Sequence, residues 1–175
     1  MPHDTAALAG RLDATLAILG SGALGGAIAR RLLSCAVLPP ERLVLANRSG
    51  RAEGVPADAG VRVTTDLAAA AAMADAVLFA LPPAATAGLR VPAADRLVLS
   101  VMAGVSVERL AEITGAARVI RAMSSPAAEI GLAYSPFFAA PARPPPTLPS
   151  RAPSSRRSAR PKSSRTRRRS TSSPR

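Results

Sequence analysis

The residues with the clearest chemical potential are three glycines. Gly20-Ser21-Gly22-Ala23-Leu24-Gly25 has the spacing G-x-G-x-x-G, and it stands between a short apolar run at 15–19 (TLAIL) and an amphipathic stretch. In that setting Gly20 permits a tight turn, Gly22 lets a pyrophosphate approach the backbone, and Gly25 allows a helix to pack close to the strand. The free N–H groups and positive dipole end of the following helix favour phosphate. The spacing therefore points to a dinucleotide, with Ser21, Ala23 and Leu24 completing the turn.

A second cluster lies where the next strand should end, at Ala46-Asn47-Arg48-Ser49. Domains that bind NAD place a carboxylate near that point to hold the ribose hydroxyls. Here there is none. Arg48 can pair with a 2′-phosphate, and the Asn47 and Ser49 side chains can donate hydrogen bonds to it. NADP, with NADPH preferred over NADH, is the cofactor these residues favour. A plain turn made by Asn47 and Ser49, with Arg48 in solvent, is the competing reading.

These residues need a scaffold of alternating elements. After the strand at 15–19, Leu24, Ala27, Ile28, Leu32 and Cys35 recur at helical spacing, with Arg30 and Arg31 facing water and Cys35 in the core. Short apolar runs at 43–46, 61–63, 76–80, 97–101 and 118–122 read as five further strands. Helices are expected at 67–73 and at 107–113, the second capped by Ser106 with Arg109 and Glu112 outward. Glycines and a proline weaken any helix between 47 and 61, and the segment 82–95 leaves room for one turn or none. The repetition predicts an α/β fold, Rossmann-like and doubly wound, with a mainly parallel sheet.

Composition divides the chain. The net charge of +12 is carried almost wholly by residues 143–175, which hold ten arginines, one lysine, nine serines, seven prolines and no acid. Such a segment cannot offset its chain entropy by burial, so a disordered basic tail is expected at 141–175. A flexible terminus at 1–14 and one NAD(P)-binding domain at 15–140 complete the expected organisation. The tail could bind nucleic acid through phosphate contacts, although no aromatic side chain interleaves its arginines. It is equally the arginine, proline and serine mixture that a high-GC gene encodes when read in the wrong frame. A single cysteine and a single histidine exclude a disulfide framework and argue against a metal site. The longest apolar stretch, 67–89, is mostly alanine and broken by Asp75, Pro82 and Pro83, so no membrane span is expected. The start carries Asp4 and Asp13 and no basic region, which does not read as a secretory signal, and a cytoplasmic location is expected.

The glycine turn, the Asn47-Arg48-Ser49 turn, AVLFALPP, RLVLSVMAGVSVERL and RVIRAMSSPAAEIG together resemble, in the same order, the N-terminal domain of the pyrroline-5-carboxylate reductase family. The likeness covers about 15–134. It implies hydride transfer from NADPH to the cyclic imine 1-pyrroline-5-carboxylate, giving L-proline. It also implies that Ala80, Leu81, Pro82, Pro83, Ala103 and Gly104 border the cofactor, and that Met123, Ser124, Ser125 and Pro126 face the substrate. No catalytic residue is assigned, because a protonated imine already carries the charge that accepts hydride.

Departures from the family pattern are as specific as the likeness. Matched without a gap, Leu81-Pro82-Pro83 stands where a Val-Lys-Pro is usual, and Ser124-Ser125-Pro126-Ala127 where a Pro-Asn-Thr-Pro is usual; a one-residue deletion would instead bring Pro126 onto the family's proline. The family implies a homo-oligomer formed through a helical C-terminal domain, whereas here the likeness ends near Phe138 and the basic tail begins. A frameshift or truncation near Ala140 would explain the break, and would leave a form that need not be active. A related oxidoreductase with another substrate, and nucleic-acid binding through the tail, stand as alternatives.

Overall fold

The computed structural model describes residues 13–56, 58–130, 132 and 135–140 of the 175-residue chain. Its centre is a seven-stranded sheet in the order β3-β2-β1-β4-β5-β6-β7. The strands are β1 (Leu16–Leu19), β2 (Leu43–Ala46), β3 (Arg62–Thr64), β4 (Ala76–Phe79), β5 (Leu97–Ser100), β6 (Arg118–Ala122) and β7 (Phe137–Ala139). All neighbours run parallel except β6 and β7, which pair antiparallel with Ile120 opposite Ala139 and Ala122 opposite Phe137. The order reverses between β1 and β4. At such a switch point the outgoing connections leave toward opposite faces, which opens a crevice at the carboxyl ends of the two strands.

Strands buried on both faces explain the short continuous apolar runs. Ala17, Leu19, Val44, Val77, Phe79 and Val98 meet α2 (Leu67–Ala72) and α3 (Val107–Thr114) on one face of the sheet. Ile18, Leu43, Leu45 and Leu78 meet Ala29, Ile28, Leu32 and Leu33 of α1 (Ala23–Ser34) on the other. The alternation of side chains along each strand assigns successive residues to these two layers.

The helix ends follow the sequence. Asp66 Oδ1 accepts from the backbone N–H of Ala68 and Ala69 at 2.9 and 3.0 Å, and this cap starts the six-residue α2. Ser106 Oγ accepts from Arg109 N at 3.2 Å to start α3, and Gly115 ends it in the left-handed region at φ +72°. Arg109 and Glu112 pair at 3.0 Å, as expected for outward residues three apart. Arg109 also donates to the Thr86 carbonyl at 2.7 Å, tying α3 to a 3-10 turn at Pro83–Thr86. That turn is all the helix between β4 and β5, and among the described residues no helix lies between β2 and β3.

Three sequence expectations need correction. Arg30 does not simply face water; it is half-buried and paired with Glu129 of a 3-10 turn at Pro126–Ile130. Cys35 is half-buried where α1 ends, outside the core, because the chain turns there instead of continuing the helix. The antiparallel β7 was not expected. Its three residues are exposed, and with Met123, Ile130 and Leu132 they give this end of the sheet most of the exposed large apolar side chains among the described residues. The expected tail at 141–175, the single histidine His3 and all but the end of the 1–14 terminus lie outside the described residues.

Candidate cofactor crevice

The glycine turn stands at the carboxyl end of β1, beside the switch point. Gly20 has φ +96°, a conformation side chains disfavour, and its N–H donates to the Ala46 carbonyl at 2.7 Å. A Cβ on Gly20 would lie 2.7 Å from the Ala80 carbonyl oxygen, and one on Gly25 would collide with the Gly20 carbonyl and approach the Ala80 side chain. Glycine at 20 and 25, with small Ala80 opposite, is therefore what lets β1, α1 and the end of β4 approach one another. Gly22 is different. A Cβ there would meet nothing within 4 Å. Nothing among the described residues requires that position to be bare, so its glycine leaves room for an external group. Gly22 also caps α1 with no side-chain hydrogen bond and no acid in the first turn, leaving backbone donors for an anion. These features fit a pyrophosphate.

The turn after β2 is built around Asn47. Its backbone N–H donates to the Thr64 carbonyl at 3.1 Å. Its side-chain Nδ2 donates to Ser21 Oγ and, at 2.7 Å, to the Arg51 carbonyl. Its Oδ1 accepts from Ser49 Oγ at 2.9 Å and from Gly50 N at 2.8 Å. The Asn47 amide is thus committed to protein partners and positions the turn instead of meeting a ligand directly. Ser49 Oγ, in turn, accepts from Arg51 N at 3.4 Å. Arg48 and Arg51 are exposed, and neither guanidinium is paired among the described residues. No carboxylate interrupts residues 46–52, so this rim is cationic. Arg51 was not singled out in the sequence; the asparagine two residues before a serine and four before an arginine, which folds the turn back on itself, was the available signal.

The remaining expected residues line the same carboxyl edge. Ala80 follows β4, Leu81 packs against the α2 and α3 layer, and Pro82 and Pro83 are exposed at the 3-10 turn. Ala103 and Gly104, the latter at φ +72° with open space where a Cβ would be, follow β5 and are exposed. Met123 is exposed and donates its N–H to the Pro136 carbonyl at 3.0 Å, while Ser124 Oγ accepts from Ser135 Oγ at 3.0 Å. Ser125 and Pro126 are exposed on the same connection. One further group is conspicuous. Arg121 Nε, on β6 in register with the buried Ser100, is enclosed with no hydrogen-bond partner among the described residues. Among the described residues no group of three or more His, Cys, Asp or Glu side chains is placed to hold a metal ion, and no helix is long and apolar enough to cross a membrane.

Comparison with known proteins agrees with this fold. The structure is similar to the pyrroline carboxylate reductase of Plasmodium falciparum solved with NADP bound, at a TM-score of 0.60 and 16% identity over 73% of this chain and 48% of that one. It is similar to a pyrroline-5-carboxylate reductase from Coxiella burnetii, at a TM-score of 0.58 and 21% identity over 74% of this chain and 50% of that one. A reductive aminase from Aspergillus terreus in complex with NADPH and ethyl levulinate matches at a TM-score of 0.57 and 21% identity, over 72% and 47% of the two chains. The chain spans about half the length of these proteins. No curated protein gives a significant sequence match. The family model described as NADP oxidoreductase, coenzyme F420-dependent, matches residues 15–104, which run from β1 through the glycine turn to the loop after β5. This chain belongs to that oxidoreductase family.

Proposed function

We propose that residues 15–140 form the NADP-binding half of an imine reductase that passes hydride from NADPH to 1-pyrroline-5-carboxylate, giving L-proline. The observation that carries the reading is the Asn47-centred turn, which sets Arg48 and Arg51, unpaired among the described residues, beside the glycine turn with no carboxylate within 46–52 to repel a 2′-phosphate. Arginine suits this task because its planar fork matches phosphate oxygens. NADPH should bind more tightly than NADH for the same reason.

In this reading the N–H groups around Ser21, Gly22, Ala23 and Leu24 hold the pyrophosphate, and Gly20 and Gly25 keep the turn closed against Ala80. Arg48 and Arg51 neutralise the 2′-phosphate; Asn47 and Ser49 fix the turn that carries them. Ala80, Leu81, Pro82, Pro83, Ala103 and Gly104 border the cofactor along the carboxyl edge, and Met123, Ser124, Ser125 and Pro126 face the imine. The bound nicotinamide supplies the hydride. The residues' task is positioning, since reacting atoms must approach to about 3–3.5 Å. A protonated imine already carries the positive charge that accepts hydride, so no proton donor is assigned.

The resemblance to pyrroline-5-carboxylate reductases supports the substrate. A homo-oligomer and a cytoplasmic setting belong to the same reading, as does a tail at 141–175 without a part in hydride transfer. The test follows nicotinamide absorbance with the full chain: its fall as NADPH is oxidised by 1-pyrroline-5-carboxylate or by a cyclic imine without a carboxylate, and, separately, its rise as reduced coenzyme F420 reduces NADP. Turnover confined to the carboxylated imine is expected. Turnover only with reduced F420 would replace this reading with the other chemistry in the family's description.

A further inference from the structure

Arg30 of α1 gathers three segments that are remote in sequence. Its Nε and Nη2 donate to the two carboxylate oxygens of Glu129 at 2.6 and 2.8 Å, and its Nη1 donates to the Glu53 carbonyl at 3.0 Å. The side chain lies between two glycines. A Cβ on Gly26 would stand 3.0 Å from Nη1, and one on Gly54, which has φ +72°, would stand 2.8 Å from Cδ. Space has been left for this arginine on both sides. Glu53 belongs to the β2–β3 connection that carries Arg48 and Arg51. Glu129 belongs to the turn that follows Met123, Ser124 and Ser125. Among the described residues this is a bidentate pair joining the two ends of the candidate site, across 99 positions of sequence.

Taking the proposed cofactor site as given, we propose that Arg30 and Glu129 are positioning residues that couple the connection after β2 to the connection after β6. Filling the cofactor crevice then fixes the segment that faces the substrate. The coupling runs through one rigid fork: order imposed on the Arg48 and Arg51 turn reaches Glu53, and Arg30 passes it to Glu129. Neither residue touches cofactor or substrate.

Hydrogen exchange of the full chain, with and without NADPH, tests this without requiring turnover. In the wild type NADPH should slow exchange in 51–56 and in 123–130. Glu129→Gln should keep NADPH affinity and the slowing in 51–56, while the response of 123–130 falls by about fivefold, the scale of a partly exposed ion pair. Arg30→Met should lose both responses, and Arg30→Lys should restore that of 51–56 more than that of 123–130, because an ammonium cannot make the bidentate contact. The charge-reversed pair Arg30→Glu with Glu129→Arg should recover part of the 123–130 response. A Glu129→Gln protein whose 123–130 segment still responds fully would overturn the coupling. So would a wild type that binds NADPH with no change in 123–130, which leaves the cofactor site standing. A wild type that does not bind NADPH removes the cofactor site and the coupling together.

Discussion

Asn47 Nδ2 donates a hydrogen bond to Ser21 Oγ, so the turn after β2 and the glycine turn after β1 are held as one unit. Asn47→Ala removes that bond and those to Arg51, Ser49 and Gly50 together. Each such bond is worth about 1 kcal/mol net, and partners left near the surface regain water, so a loss of about 1–2 kcal/mol of stability is expected. Asn47→Asp keeps the acceptor side of the network but adds a negative charge. It should weaken NADPH binding more than NADH binding, measured by titration of each cofactor.

The two outer glycines and the middle one should behave differently. Gly25→Ala drives a Cβ into the Gly20 carbonyl, so the protein should lose cooperative thermal unfolding. Gly22→Ala meets open space. It should retain the wild-type melting temperature and lose cofactor affinity. Equal stability and equal affinity in Gly22→Ala would show that the open space is not a phosphate site.

Most of the scaffold was legible in the residues. The β1, glycine turn and α1 unit could be read because a buried strand, a glycine spacing and a helical period follow one another without interruption. Asp66 was not singled out as a cap, although Asp before an apolar run is a common start signal. What escaped reading depended on distant partners. Arg30 has the spacing of a solvent-facing helix residue, and only the fold brings Glu129 to it. β7 escaped because three exposed residues beside a proline show no burial pattern. Asn47 was read as a ligand donor since nothing local reveals that Ser21 and Arg51 already use its amide protons.

Asp66→Ala isolates the contribution of one cap. The helix it starts is six residues long, five of them alanine, with no basic residue in its last turn. Loss of the cap should cost about 1 kcal/mol, and Asp66→Asn should restore most of it. Chemical denaturation of the two variants measures the difference.

Arg121→Met should leave stability unchanged or raise it. The wild-type Nε is desolvated with no partner among the described residues, so removing it relieves a cost instead of breaking a bond. Thermal unfolding gives the sign directly; a clear drop in melting temperature would mean that the arginine stem packs more favourably than its unpaired donor costs.

The Arg30 and Glu129 pair also has an acid limit. The hydrogen bond from Arg30, with the nearby positive charge, holds the Glu129 carboxyl below the ordinary glutamate value, against a smaller opposing effect of burial. A depressed folded-state value contributes stability that is complete above the unfolded value and disappears as pH falls through the folded one. The difference in melting temperature between wild type and Glu129→Gln should therefore be constant near neutrality and close only below the usual carboxylate range.

If this crevice takes NADP through Arg48, nicotinamide fluorescence titrations of NADPH and NADH into the wild type and Arg48→Ala will show it. The wild type should bind NADPH more tightly, and Arg48→Ala should lose about tenfold in NADPH affinity, the scale of a charge-assisted contact, while leaving NADH unchanged. Equal binding of the two cofactors, or an Arg48→Ala protein with undiminished preference for NADPH, would contradict it.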